Sequence, residues 1–245
     1  MKIYSSLVNQ SRKGRKCFAV LIDPDTYTET QIKSIARNTR EAGIDYFFYG
    51  GSLLLHDHYE QHLKLLKKNT TIPVVLFPGS NFQVHEDADA ILLLSLISGR
   101  NPDLLIGQHV TAAPFLKASK LEIIPTGYIL IDSGKPTAVS YMSNTTPIPS
   151  DQDEIAVCTA MAGEMLGLKI IYLDAGSGAT SPVPIPMIRK VRQSTGIPLI
   201  IGGGIKSADQ ALKICNAGAD MIVVGNAIEH DPQLIYQIAE SVHNV

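Results

Sequence analysis

Asp174 ends a short apolar run, Ile170-Ile171-Tyr172-Leu173, and is followed at once by Ala175-Gly176-Ser177-Gly178. A carboxylate can take or orient a proton. A glycine turn adopts φ > 0 and lets a ligand approach bare backbone, and successive backbone N–H groups in such a turn form an anion-binding concavity. One acid beside one anion nest, at a strand end, is the layout of an active site. The same residues also suit a plain strand-to-loop turn, so other parts of the chain must discriminate. Two similar turns follow: Gly202-Gly203-Gly204 after Ile197–Ile201, and Gly225-Asn226 after Met221–Val224. Near the N-terminus, Cys17–Ile22 ends in Asp23-Pro24-Asp25. Asp25, with Thr26 and Thr28, is placed to cap the next helix, whereas Asp23 stands at the strand tip. Phosphate next to one or two carboxylates suits Mg2+, which keeps its waters and bridges to phosphate oxygens. Asp23 is therefore the candidate metal ligand, and Ser52, after Gly50-Gly51, can add a hydroxyl.

Eight apolar runs, at 17–22, 46–49, 73–77, 90–94, 122–126, 170–173, 197–201 and 221–224, alternate with helical patterns. Strands so uniformly apolar are buried on both faces, as in a parallel sheet. Eight such units in 245 residues predict a (β/α)8 barrel over a single domain, 1–245. A doubly wound sheet is the runner-up, but it places its glycine turn after the first strand. The gap between the third and fourth runs is short for a helical crossover, so the barrel is expected to be modified, with its third helix reduced or missing. The second helix is expected over 53–69. The stretch 127–150 is long and rich in Gly, Pro, Ser and Thr. It reads as a functional loop, with Tyr128–Ile131 and Ala138–Tyr141 paired as a hairpin around Ser133-Gly134. On a barrel all the unusual turns fall on the C-terminal face of the strands, where phosphate is held by the last two loops and a short extra helix. Asn226–Glu229 is the candidate for that turn, its dipole aimed at the anion.

A net charge of -2 argues against nucleic-acid binding but not against an anionic ligand, which backbone amides can hold. Three scattered cysteines give neither a disulfide framework nor a zinc site, and predict a reduced, cytoplasmic protein. The start of the chain lacks the apolar core of a signal peptide, and the apolar runs are too short to span a bilayer. His56, His58 and His62 read as surface residues, with only His58 and His62 on one helix face. Leu92–Ile97 continues apolar past its expected strand end, and Phe115, Tyr128, Ile129 and Leu130 follow. Most of these belong to a core, yet an apolar groove leading off a phosphate site would fit a lipid tail.

Taken together, Leu21-Ile22-Asp23-Pro24-Asp25, Gly50-Gly51-Ser52, Tyr172–Ala179, Gly202–Ile205 and Gly225-Asn226 resemble geranylgeranylglyceryl phosphate synthase and its heptaprenyl-transferring relatives. Gly107-Gln108-His109 and Pro125–Leu130 are similar as well, and the resemblance spans the whole chain. It implies a modified barrel that has lost one helix. It implies a prenyltransferase in which the C3 hydroxyl of sn-glycerol 1-phosphate attacks C1 of a polyprenyl diphosphate, forming an ether and releasing diphosphate. Asp23 and Ser52 would hold Mg2+ on the diphosphate. Tyr172, Leu173, Asp174, Ala175, Gly176, Ser177 and Gly178, with Gly203, Gly204, Gly225 and Asn226, would hold glycerol phosphate. Asp174 would act as base or hydroxyl orienter, although many members carry Glu there. Leu21 stands where the heptaprenyl branch tends to have a phosphate-contacting Lys, which favours geranylgeranyl diphosphate. A homo-oligomer and peripheral membrane contact are the expected associations. Another phosphate-binding barrel, either a sugar-phosphate isomerase or a flavin-phosphate enzyme, and a non-catalytic prenyl-phosphate binder are the competing readings.

Overall fold

The computed structural model describes residues 2–39, 41–81 and 83–245. The apolar runs form eight parallel strands: β1 (Cys17–Ile22), β2 (Tyr46–Tyr49), β3 (Val74–Leu76), β4 (Ala90–Leu96), β5 (Glu122–Leu130), β6 (Ile170–Asp174), β7 (Leu199–Gly202) and β8 (Met221–Val224). They pair in chain order, and β8 closes on β1 through Cys17–Val20. Side chains alternate across each strand. Ala19, Phe48, Leu92, Tyr128, Tyr172, Ile200 and Val223 fill the barrel. Their neighbours Val20, Phe47, Ile129, Leu173, Ile201 and Ile222 pack under the helices. Both faces are dry, which is why the runs read as continuously apolar.

The helices are α1 (Ile3–Arg12), α2 (Glu29–Arg37), α3 (Tyr59–Asn69), α4 (Gln108–Ala118), α5 (Ala138–Met142), α6 (Asp153–Met165), α7 (Ile185–Ser194), α8 (Ala208–Asn216), α9 (Asn226–His230) and α10 (Leu234–His243). A π-helical turn, Asp103–Gly107, leads into α4. Among the described residues no helix lies between β3 and β4, so the third crossover is a loop as expected. None of the described helices is long and apolar enough to cross a membrane.

Three local expectations are corrected. Tyr128–Ile131 does not fold into a hairpin with Ala138–Tyr141. β5 instead runs on to Leu130, because Tyr128 finds Leu96 on one side and Tyr172 on the other. Residues 138–142 are helical, started by a capping box between Thr137 and Ser140. The second helix begins at Tyr59, not 53. Asp25 does not cap α2; Thr28 and Gln31 do so by a capping box of their own. The Asp25 carboxylate instead accepts the backbone N–H groups of Leu55 and His56, and so pins the loop after β2.

The opposite end of the barrel is closed by α1. Glu122, at the start of β5, accepts the N–H groups of Ile3 and Tyr4 at the helix start. Asp220 is 5% exposed. It accepts from the Ser11 hydroxyl at 2.7 Å, the Leu199 N–H at 2.8 Å and the Arg192 guanidinium at 2.9 Å. One carboxylate thereby ties α1, β7 and α7 together. Asp220→Ala leaves the buried Leu199 N–H without its acceptor and takes the countercharge from the half-buried Arg192, which keeps the Ile197 and Thr195 carbonyls, and is expected to cost about 2 kcal/mol of stability in a urea titration.

Candidate active site

Period-two alternation puts Tyr172 and Asp174 on the inner face of β6, with Asp174 at the rim. Asp174 is 6% exposed. Its Oδ2 accepts the Tyr128 hydroxyl at 2.6 Å, and its Oδ1 accepts the Gly176 N–H at 2.7 Å. Burial pushes this carboxyl above the usual carboxylate range, and the two donors hold it back in part. Beneath it lies an aromatic floor. Phe77 stacks on Tyr172 with centroids 5.2 Å apart, and Tyr128 meets Tyr172 edge-on at 5.5 Å.

The glycines of the next turn make room for this cluster. A Cβ at Gly202 would lie 2.4 Å from the Tyr172 hydroxyl, and one at Gly203 2.6 Å from Asp174 Oδ1. Gly203 also needs its left-handed φ of +79°. Gly204 abuts the backbone of Ser181 and Pro182, so the turns after β6 and β7 touch. The turn after β8 joins them through Asn226. Its Oδ1 accepts the Ser177 hydroxyl at 2.9 Å and the Gly178 N–H at 3.0 Å. The expected extra helical turn is present as α9.

Asp23 occupies the tip of β1. Its Oδ1 accepts the Asp25 N–H at 3.0 Å, and a Cβ on Gly51 would lie 2.7 Å from Oδ2. Burial pushes the Asp23 carboxyl up, and the negative charges of Asp25 and Glu229 push it further. No cationic side chain is among the groups that shift it. Asp23 and Ser52 line the same cavity, and a carboxylate there with no cationic partner fits a hard cation that brings its own waters. The described residues hold no cluster of three or more His, Cys, Asp or Glu side chains suited to a metal, so an ion here would lean on few protein ligands.

Asp23, Ser52, Asp174 and the three glycine turns line one cavity of about 1110 Å3. Its other end is apolar, walled by Val84, Leu92, Leu94, Leu104, Ala112 and Leu116. The crossover loop supplies Pro78, Gly79 and Val84 to this wall. Leu173 and Ala175 of the proposed set do not line the cavity; their side chains belong to the outer core. Phe115 is 69% exposed and also lies outside it, while Ile129 is in the outer core and Leu130 inside the barrel. His56, His58 and His62 form a ring stack spaced 5.9 and 5.3 Å. His62 is not a surface residue: it is buried, with Nδ1 3.1 Å from the Pro24 carbonyl.

Four contributors had no sequence signal of their own role. Tyr128 reads in the sequence as part of the Pro125–Leu130 stretch, of the expected hairpin and of an apolar groove, none of which marks it as a donor to Asp174. Gln83 is 2% exposed and bridges the Gly51 carbonyl, at 2.9 Å, and the Gly79 N–H, at 3.1 Å. Glu229 accepts from Thr26 and Asn226. His109 lines the cavity with Nε2 3.2 Å from the Ser95 hydroxyl, and burial lowers its pKa.

A carboxyl whose pKa rises on folding holds its proton more tightly when folded, so its ionisation costs stability as pH climbs through the ordinary carboxylate range. Asp174→Asn keeps an acceptor for Gly176 and removes the buried charge. Its melting temperature is expected to match the parent below about pH 4 and to exceed it increasingly toward neutral pH. An equal or lower melting temperature at pH 7 would mean that the two donors outweigh burial.

Residues 9–242 match the family model described as the PcrB family. The chain is 56% identical over 242 residues to a geranylgeranylglyceryl phosphate synthase of Chitinophaga pinensis, covering 99% of this chain and 96% of that one. It is 52% identical over 229 residues to the protein of the same name from Spirosoma linguale, covering 94% and 92%. Among solved structures it is similar to (S)-3-O-geranylgeranylglyceryl phosphate synthase from Thermoplasma acidophilum in complex with substrate sn-glycerol-1-phosphate. That likeness has a TM-score of 0.94 at 32% identity and covers 100% of each chain. Matched by the family model over residues 9–242 and 56% and 52% identical to relatives over nearly its full length, the chain belongs to the PcrB family.

Proposed function

We propose that the chain is a prenyltransferase, acting as one catalytic domain, that joins the C3 hydroxyl of sn-glycerol 1-phosphate to C1 of geranylgeranyl diphosphate. The observation that carries this reading is one cavity with two unlike ends: a glycine-turn cradle next to a buried carboxylate, and a long apolar wall. The names of the relatives agree with it, as does the bound substrate of the Thermoplasma acidophilum structure.

The turns Gly176–Gly178, Gly203-Gly204 and Gly225-Asn226 would hold the phosphate through the backbone N–H groups they leave free, those of Gly176 and Gly178 being engaged by Asp174 and Asn226. Asn226, whose Oδ1 accepts the Gly178 N–H and the Ser177 hydroxyl, would keep the turn after β6 in its binding shape. Asp174 would then face the glycerol hydroxyl, held in place by Tyr128 and Gly176. As the C3 oxygen forms its bond to C1, the bond from C1 to the diphosphate oxygen breaks and diphosphate leaves with the electron pair. The hydroxyl proton passes to Asp174, whose raised pKa makes it the stronger base. Asp23 and Ser52 would hold Mg2+, which when bound neutralises charge gathering on the leaving diphosphate. The apolar wall would exclude water from C1 and seat the prenyl tail. A partner copy and transient contact with the bilayer that stores such tails are expected too.

The reading is tested with labelled sn-glycerol 1-phosphate and C15, C20 or C35 diphosphates, with and without EDTA. A lipid-soluble product, greatest with C20 and lost with EDTA, is expected; no lipid-soluble product with any of the three would overturn the reading. In the same assay Asp174→Asn is expected to lower kcat by about 10²–10⁴-fold while the KM for glycerol phosphate holds. Asp23→Ala is expected to abolish the Mg2+-dependent turnover. Full turnover in either variant would remove that residue from its role.

A further inference from the structure

Glu229 has no part in the binding set above, yet it stands between its two halves. It lies on α9, half-buried, in the wall of the cavity. Oε1 accepts the Thr26 hydroxyl at 3.1 Å, and Oε2 accepts the Asn226 side-chain amide at 3.3 Å. Asn226 in turn accepts from Gly178 and Ser177. Thr26 leads the other way: its N–H donates to the Asp23 carbonyl at 3.2 Å while its hydroxyl proton serves Glu229. An unbroken chain of hydrogen bonds thus runs from the anion cradle after β6, through α9, to the turn that carries Asp23.

Electrostatics alone would not put a carboxylate here. Its charge adds to that of Asp23, and a negative group near two anion subsites repels both ligands. What it supplies is a pair of acceptor oxygens, one for each turn. An acceptor facing Nδ2 fixes which way the Asn226 amide points, and so aims Oδ1 at the Gly178 N–H. A glutamine could serve only one of the two turns, since its NH2 group would face the other donor.

We propose that Glu229 is a positioning residue that orients Asn226 and couples the glycerol phosphate subsite to the diphosphate subsite at Asp23. The identity of the two ligands rests on the prenyltransferase reading. Filling the Asp23 turn stiffens the Thr26–Glu229 link, so that Asn226 is oriented before glycerol phosphate arrives. By linkage the effect is reciprocal.

Calorimetric titration of sn-glycerol 1-phosphate, with and without Mg2+ and inorganic pyrophosphate, tests the coupling. In the parent protein pyrophosphate is expected to tighten glycerol phosphate by about 5–10-fold. Glu229→Gln is expected to weaken glycerol phosphate alone by about tenfold and to lose the enhancement. Thr26→Val, which cuts only the far link, is expected to lose the enhancement and keep the affinity for glycerol phosphate alone. Tighter binding in Glu229→Gln would mean that only the charge mattered and would overturn the proposal. So would the same enhancement in all three proteins, or none in the parent. Circular dichroism checks folding, and if Glu229→Gln does not fold, Thr26→Val decides. Parent turnover measured alongside separates the two readings. Coupling without ether formation sinks the prenyltransferase and leaves the positioning role standing; ether formation without coupling does the reverse.

Discussion

The Tyr128 hydroxyl and the Gly176 N–H hold a carboxylate where water scarcely reaches it, and the rest of the rim is arranged around that cost. A buried carboxylate is tolerated only when its oxygens are hydrogen-bonded, and each Asp174 oxygen has one donor. Tyr128 can supply one because β5 is in register with β6, placing it opposite Tyr172 and two residues short of Asp174's own partner, Leu130. The glycines at 202 and 203 follow from the same arrangement, since any side chain there would occupy the space of the Tyr172 hydroxyl or the carboxylate. The tyrosine floor, the strand register and the glycine turn are therefore one structural decision.

Among the described residues the third crossover carries no helix, and this serves the other end of the cavity. A helix there would cover the β3–β4 face; a loop leaves room beside Leu92, Leu94 and Leu116. A loop also lacks the packing that would hold the neighbouring turns. Gln83 takes over that task, with its amide spanning the turns after β2 and β3 while almost wholly buried. An amide with both ends bonded in a dry site is rigid, because either bond is costly to leave unmade. The turn carrying Ser52 is thus held from two sides, by Gln83 through Gly51 and by Asp25 through Leu55 and His56.

Charge divides the rim. Around the glycine cradle the donors are backbone N–H groups, joined by Lys206 in the cavity wall and by the Lys135 ammonium, 4.0 Å from where a Cβ on Gly178 would lie. Around β1 the charged groups are carboxylates, Asp23, Asp25 and Glu229, and burial makes Asp23 uneasy as an anion. That imbalance suits a cation arriving with an anionic partner. It also explains how a chain with net charge -2 can serve phosphate ligands.

Much of this was legible in the sequence. Eight apolar runs buried on both faces point to a parallel sheet, and their number favours a closed barrel over a doubly wound sheet. Asp174, Asp23 and the three glycine turns follow strand ends, so a barrel necessarily gathers them at one rim. The short stretch before β4 pointed to a reduced or missing helix, because it is short for a full helical crossover. The extension of β5, the donor role of Tyr128, the Gln83 bridge and the Glu229 link to Thr26 were not legible. Tyr128 and Asp174 are 46 positions apart, and Thr26 and Glu229 are 203 apart. Local patterning records propensity and periodicity, which act over a few residues. Which hydroxyl meets which carboxylate depends on strand register and on ring closure, and those exist only once the whole chain has folded.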